Sequence, residues 1–186
     1  MRYIGIDPGV TGAVAHLWDG GIGIVDLPTF VIEGKKKRTV LDQRATLEIL
    51  LDLACVDGES IFLLEAPVMG PAMKRAKPTA GGSFENEYGP DAAGGQSIVT
   101  LANSFRLNGQ IEGMIVALSK WYPCRYEIIN PQTWKRQVMP GEARDKDAAR
   151  QKAIQLFPSV AEQLKLKKHH NRAEALLLAE WGRRRG

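Results

Sequence analysis

Two short apolar segments, each followed by an acidic residue, limit the folds that this chain can adopt. Residues 3–6 are apolar or small and lead into Asp7, which opens an Asp-Pro-Gly turn signal. Residues 60–64 are apolar almost throughout and lead into Glu65. Segments of this length predict buried strands, and an apolar strand belongs near the centre of a sheet that helices cover. Both acids are therefore predicted at the carboxyl ends of strands, where ligand sites of α/β sheets concentrate.

The remaining apolar residues predict a mixed α/β sheet. Residues 12–17 and 22–27 continue the strand pattern around two glycines that suit a tight hairpin turn, so three antiparallel strands are expected first. The basic, polar segment 33–38 is predicted as a loop. The later elements are predicted as helices over 40–54, 97–118, 146–157 and 172–183, and a strand over 125–129. Strands followed by alternating helices and strands indicate an α/β fold.

A long segment without helical or strand periodicity interrupts this pattern at about residues 68–95. It follows soon after Glu65 and is rich in Gly, Pro, Ala and Lys. A loop of this length inside a compact domain is uncommon and tends to be functional or disordered. At 186 residues the chain is long enough for one substantial core and short for two. We therefore expect a single domain spanning residues 1–186, with one long mobile loop.

Composition excludes several classes of protein and leaves nucleic-acid binding open. The chain has two cysteines, Cys55 and Cys124, and no CxxC pair, which argues against a disulfide scaffold and a zinc finger. No apolar run approaches the roughly 20 residues that cross a bilayer, and the first residues lack the pattern of a secretory signal. A cytoplasmic protein without a membrane partner is therefore expected. The net charge of +4 suits DNA binding and an ordinary solvated surface alike.

A third acid, Glu174, lies near the start of the predicted last helix, with His170 and Asn171 one turn earlier. Residues three and four apart on a helix share a face, so either neighbour is placed to add a ligand or to orient a water molecule. Mg²⁺ and Mn²⁺ sites require hard oxygen ligands held by a fixed backbone. Each acid also has an ordinary structural interpretation. Asp7 can stabilise the turn, Glu65 can form a cap or an ion pair at the surface, and Glu174 can interact favourably with the helix dipole. The three acids together favour a metal site.

Five segments occur in order along nearly the whole chain: IGIDPGVTGA at 4–13, LLEAP at 63–67, INPQTWK at 129–135, DKDAARQKAIQLFP at 145–158 and NRAEALLLAEW at 171–181. In sequence and order they resemble the RuvC-type Holliday junction resolvases, especially the phage-borne branch. The resemblance implies an RNase H-like fold, in which a mixed five-stranded sheet, antiparallel in its first three strands and parallel afterwards, is flanked by helices. It also implies an endonuclease that resolves Holliday junctions and other branched DNA in recombination and repair, leaving 5′-phosphate ends.

The resemblance assigns roles to the candidate residues. Asp7, Glu65 and Glu174 match the family's acidic metal ligands, and two Mg²⁺ or Mn²⁺ ions per site are implied, with Asp7 shared between them. The family usually has an aspartate or histidine where this chain has Asn171. Three alternatives follow: Asn171 is a weak ligand, His170 takes that place, or the metal affinity is lower. His170 is also the candidate for positioning or deprotonating the attacking water, which adds it to the three acids as a catalytic candidate.

The same resemblance indicates where DNA is contacted. Lys135 and Lys146 match basic residues that face DNA in the family, although a surface salt bridge is an equally good interpretation of either. The long loop matches the segment that enters the centre of the junction. Met69, Phe84 and Tyr88 are therefore candidates for stacking on bases or wedging between them, and the alternative is a disordered insertion whose aromatic residues are incidental.

A homodimer is also implied, because two symmetric cuts in a two-fold symmetric junction call for two active sites. The predicted helix over 97–118 is the candidate interface, and plain core packing is the alternative interpretation of its apolar stripe.

Other functions share part of this pattern. An RNase H-like nuclease of another specificity would keep all three acids, whereas a catalytically inactive DNA-binding scaffold would not need them. The segment IDPGVTGA also resembles the phosphate-binding hairpin of sugar-kinase and actin-like proteins. Those proteins need a duplicated domain, for which 186 residues are too few.

Overall fold

The computed structural model describes residues 1–34, 37–56, 58–67, 98–141 and 146–186. The predicted long loop, with Met69, Phe84 and Tyr88, lies outside the described residues. The backbone of Lys146 is described and its side chain is not. No helix in the described ranges is both long and apolar enough to cross a membrane.

The described strands and helices alternate in the order that the sequence predicts, with one added hairpin and two added helices. The strands are β1 (Arg2–Asp7), β2 (Ala13–Trp18), β3 (Gly21–Asp26), β4 (Thr29–Ile32), β5 (Arg38–Leu41), β6 (Ser60–Glu65) and β7 (Cys124–Ile129). The helices are α1 (Gln43–Ala54), α2 (Ile98–Ser119), α3 (Pro131–Val138), α4 (Lys146–Leu156), α5 (Ala161–Leu164) and α6 (His170–Arg183).

Five strands form one mixed sheet in the order β3-β2-β1-β6-β7. The pairs β1–β2 and β2–β3 are antiparallel, whereas β1–β6 and β6–β7 are parallel. In this register Ile6 pairs with Leu64, so Asp7 and Glu65 follow paired residues at the same edge of the sheet. The strand order and directions are the RNase H-like arrangement expected from the sequence, and they confirm the predicted fold class.

Helices cover both faces of the sheet, because successive side chains of a strand point to opposite sides. Tyr3 and Leu63 pack in a buried cluster with residues of α3, α4 and α6. Ile4 and Phe62, one position along each strand, pack in a second cluster with residues of α1 and α2. The central strands are thus apolar on both faces, as the unbroken apolar runs predict.

Gly5 allows α6 to lie directly on β1. A Cβ atom at this position would come within 2.0 Å of the Ala175 carbonyl oxygen and 2.7 Å of the Ala179 amide nitrogen. Both are helix backbone atoms, so a side chain at position 5 would force the helix away from the strand. The contact brings Glu174, next to Ala175, close to the end of β1.

Three elements were not predicted: the β4–β5 hairpin, α3 and the short α5. Residues 38–41 form a hairpin with β4, where a loop had been predicted up to residue 38 and a helix from residue 40. The helix begins at Gln43 instead, because the Asp42 side chain accepts a hydrogen bond from the Ala45 amide at 3.0 Å and caps it. The unpredicted α3 begins at Pro131, after Asn130 caps the Gln132 amide at 2.9 Å.

Candidate active site

Asp7 and Glu65 line one pocket at the carboxyl edge of the parallel strands. The pocket has a volume of about 360 Å³, and Lys135 of α3 also lines it. Parallel central strands bring their carboxyl ends to the same edge, which is why two acids 58 positions apart in the chain meet here. Glu174, His170 and Asn171 do not line this pocket.

Glu65 is held from two sides. The indole N–H of Trp134 donates a hydrogen bond to Glu65 Oε2 at 2.9 Å, and the ring of Trp134 is fully buried. The side-chain amide of Asn108, on α2, donates to the Glu65 backbone carbonyl at 2.6 Å. Backbone and carboxylate are therefore both fixed by helices that pack against the sheet.

The pKa of the Glu65 carboxyl group is raised to about 7. Burial is the main cause, and the nearby Glu174 carboxylate acts in the same direction. The charge of Lys135 and the hydrogen bond from Trp134 oppose the rise and do not cancel it. Burial of the carboxyl group therefore outweighs the stabilisation of its charged form by Lys135 and Trp134.

Lys135 connects Glu174 to the pocket that Asp7 and Glu65 line. Its ammonium nitrogen lies 2.7 Å from Glu174 Oε1, and the two side chains are only 16% and 11% exposed. The same nitrogen lies 5.1 Å from the centre of the Trp134 ring. The structure thus gives Lys135 a largely buried ion pair, whereas the sequence suggested a phosphate contact or a surface salt bridge. Its contact with DNA stays a prediction.

The first turn of α6 is anchored to the strands that precede it. Asn171 Nδ2 donates to the Thr11 carbonyl at 2.5 Å and to the Thr11 hydroxyl at 2.9 Å, which ties α6 to the turn after Asp7. Arg172 forms two hydrogen bonds to the Asp26 carboxylate, at 2.6 and 2.5 Å, and so reaches the end of β3. These contacts fix the helix that carries Glu174.

His170 turns one ring nitrogen towards the short helical turn at Lys167–His169, which precedes α6. Its Nδ1 lies 3.1 Å from the Lys167 carbonyl oxygen, a distance at which a protonated Nδ1 donates a hydrogen bond. In that tautomer Nε2 is left as the basic nitrogen. The proposed role of His170 in positioning water therefore depends on Nε2.

The acidic side chains of the site are chemically suited to bind a divalent cation, but they are not arranged around a common point. Within the described ranges, no three or more His, Cys, Asp or Glu side chains are grouped so that they could hold a metal ion. Carboxylate oxygens are nevertheless the ligands that Mg²⁺ prefers, and a bound cation would stabilise the charged form of the buried Glu65 carboxyl group. A metal site here requires side chains of the cluster to rearrange, with Lys135 the nearest obstacle.

Sequence reasoning missed Trp134, Asn108 and the pairing of Lys135 with Glu174. The segment INPQTWK carried a usable signal, because Asn followed by Pro marks a helix start and places Trp134 and Lys135 on that helix. The partners of both residues lie on distant elements, and no local pattern identifies them.

The order and directions of the strands define the class of this chain as RNase H-like in fold. No protein-family model matches the chain, and no curated protein matches it significantly. Among solved structures, it is similar to T. thermophilus RuvC in complex with Holliday junction substrate, at 14% identity and a TM-score of 0.46, covering 100% of this chain and 97% of that chain. A second structure of Thermus thermophilus RuvC matches at 12% identity and a TM-score of 0.45, with the same coverage. With TM-scores below 0.5, the fold assignment stands on strand order and direction alone.

Proposed function

We propose that this chain is a metal-dependent endonuclease that resolves Holliday junctions and other branched DNA. The supporting observation is that Asp7 and Glu65 line one pocket at the ends of neighbouring central strands, with the Lys135–Glu174 ion pair beside it. A cluster of carboxylates at a strand edge suits phosphodiester hydrolysis, because this reaction needs cations held by hard oxygen ligands.

In this proposal Asp7, Glu65 and Glu174 hold Mg²⁺ or Mn²⁺. A pair of bound ions would activate a water and stabilise the 3′ leaving oxygen, and cleavage of that P–O bond would leave a 5′-phosphate and a 3′-hydroxyl. Trp134 fixes one oxygen of Glu65, so that the other remains available as a ligand. Asn171 holds the turn after Asp7 through its amide nitrogen, which leaves its amide oxygen as the atom to consider for a ligand. His170 is proposed to position the attacking water.

The substrate proposal extends beyond the described residues. Two symmetric cuts in a four-way junction require two copies of the site, so we propose a homodimer. Met69, Phe84 and Tyr88 are proposed to contact unstacked bases at the centre of the junction. Lys146, at the start of α4, is proposed to contact a phosphate.

The test compares Mg²⁺-dependent cleavage of a labelled synthetic four-way junction with cleavage of a matched linear duplex. Wild-type protein is expected to cut the junction with paired symmetric nicks and to leave the duplex intact. Asp7→Asn is expected to bind the junction without cutting it, because a neutral amide is a poor ligand for a hard cation. Asp52→Asn, at an exposed position of α1, is the matched control and is expected to cut like wild type.

Other outcomes identify the alternatives. Equal cutting of junction and duplex would point to an RNase H-like nuclease of other specificity. Junction binding by wild-type protein with no cleavage in Mg²⁺ or Mn²⁺ would point to a non-catalytic DNA-binding scaffold.

A further inference from the structure

The ammonium group of Lys135 supplies positive charge inside the candidate site itself. It bonds Glu174 at 2.7 Å in a place where both side chains are mostly shielded from water. It also lines the pocket that Glu65 lines. One cation thus lies beside acids that come from two different elements, β6 and α6.

This ion pair and a bound divalent cation compete for the same carboxylate. A lysine N–H that donates to Glu174 Oε1 engages one of the two oxygens that a metal could coordinate. An ammonium group next to a doubly charged ion is also strongly repelled where water is partly excluded. Occupation of Glu174 by one cation therefore disfavours occupation by the other.

The lysine side chain is suited to move between two positions. Its four-carbon stem is flexible and its charge is compact, so the ammonium can swing while the backbone of α3 stays fixed. That backbone is held firmly, because neighbouring Trp134 and Val138 are buried in the core. Lys135 also lines the pocket, so it has a path to the pocket mouth.

We propose that Lys135 is an internal counter-ion, which pairs with Glu174 in protein without a divalent cation and leaves it when one binds. This inference rests on the proposed function, because it requires that the acids bind a metal. Its consequence is that metal loading frees an ammonium group at the pocket, where a phosphate of the substrate can take it up. The protein would then present its phosphate-binding lysine only when metal is bound.

The direct test measures the chemical reactivity of Lys135 in wild-type protein. Limited reductive methylation, followed by peptide mass spectrometry, is compared with EDTA and with saturating Mn²⁺. Lys135 is expected to react slowly in EDTA and several-fold faster in Mn²⁺. Lys165 is the internal control, because its pair with Glu162 is of similar length, 2.8 Å, and lies on the exposed surface. Its reactivity is expected to be the same in both conditions.

A second readout is Mn²⁺ affinity by isothermal titration calorimetry. Lys135→Met keeps an unbranched side chain of nearly the same length and removes its charge. It is expected to bind Mn²⁺ about tenfold more tightly or better, as loss of a charge-assisted hydrogen bond to Glu174 implies. Lys165→Met removes an equivalent ion pair elsewhere and is expected to bind like wild type. Equal affinity of Lys135→Met and wild type would overturn the inference.

The outcomes separate the inference from the proposed function. If wild-type protein binds Mn²⁺ and Lys135 stays as unreactive as in EDTA, then the counter-ion proposal is wrong and the metal site stands. If neither wild type nor Lys135→Met binds Mn²⁺, then both proposals are wrong.

Discussion

Replacement of Trp134 by phenylalanine tests whether the indole N–H positions Glu65. The bond is 2.9 Å long and the ring is fully buried, so the change removes a donor from an acidic acceptor and leaves a small cavity. Trp181 offers a matched control, because its buried indole donates to the neutral Gln137 amide oxygen at 2.8 Å. The two bonds differ chiefly in the charge of the acceptor and in its place in the site, and each indole ring also has one cationic neighbour, Lys135 or Arg185.

The expected magnitudes follow from that difference. Each substitution is expected to cost about 2 kcal/mol of unfolding free energy through lost packing and a lost hydrogen bond. Trp134→Phe is expected to cost about 1 kcal/mol more above the pKa of Glu65, because hydrogen bonds to charged groups are stronger. Urea unfolding in EDTA measures both values.

Cleavage gives the second measurement on this pair of variants. At saturating Mg²⁺, Trp134→Phe is expected to cut the junction about tenfold more slowly than wild type, as for loss of a residue that orients a metal ligand. Trp181→Phe is expected to cut at nearly the wild-type rate. If the two variants cut equally fast, then the indole bond does not position Glu65 and the reasoning fails.

Three further predictions concern Gly5 in β1, the carboxyl group of Glu65, and the contact of Asn171 with the turn at Thr11. Gly5→Ala is expected to lower the free energy of unfolding by about 3 kcal/mol or more, as measured in urea, because its Cβ would overlap the backbone of α6. The control is Gly109→Ala, whose Cβ would meet nothing within 4 Å, and it is expected to be neutral or stabilising. Because the folded pKa of Glu65, about 7, lies above its usual 4.5, its contribution is complete below about pH 4.5 and is lost as the pH rises through 7. Urea unfolding in EDTA should therefore show stability falling over this range in wild type, with a smaller fall in Glu65→Gln; equal slopes would contradict the assignment. Asn171→Asp is expected to destabilise the protein by about 1 kcal/mol, since it loses its donor to Thr11, and to tighten Mn²⁺ binding in calorimetry; unchanged affinity would remove residue 171 from the ligand set.

The sequence predicted the parts of the fold that depend on local patterns. Asp7 and Glu65 end apolar runs. A strand that is apolar on both faces is stable mainly at the centre of a sheet that helices cover on both sides. The strand hairpin at 29–41 was missed, because both of its strands are largely exposed and carry no burial pattern. Its apolar residues therefore lacked the alternation that identifies a half-buried strand.

The pairings of charged and polar side chains in the site could not be predicted from the sequence, for a different reason. Lys135 and Glu174 lie 39 residues apart, on helices whose relative position depends on the assembled sheet. Trp134 and Glu65 are 69 residues apart. A pairing of this kind is decided by packing and by the balance between desolvation and charge, and neither is encoded in spacing along one element.

The close packing of α6 on β1 has a consequence for the chain during its synthesis. Glu174 and many of the buried residues that pack in one cluster with Tyr3 and Leu63 belong to α6, which leaves the ribosome long after the strands that carry Asp7 and Glu65. A nascent chain that lacks this helix has one face of its central sheet only partly covered and one of its three acids missing. We therefore expect shortened chains that end before α6 to be both aggregation-prone and unable to cut DNA, so that folding and activity are completed by the same segment.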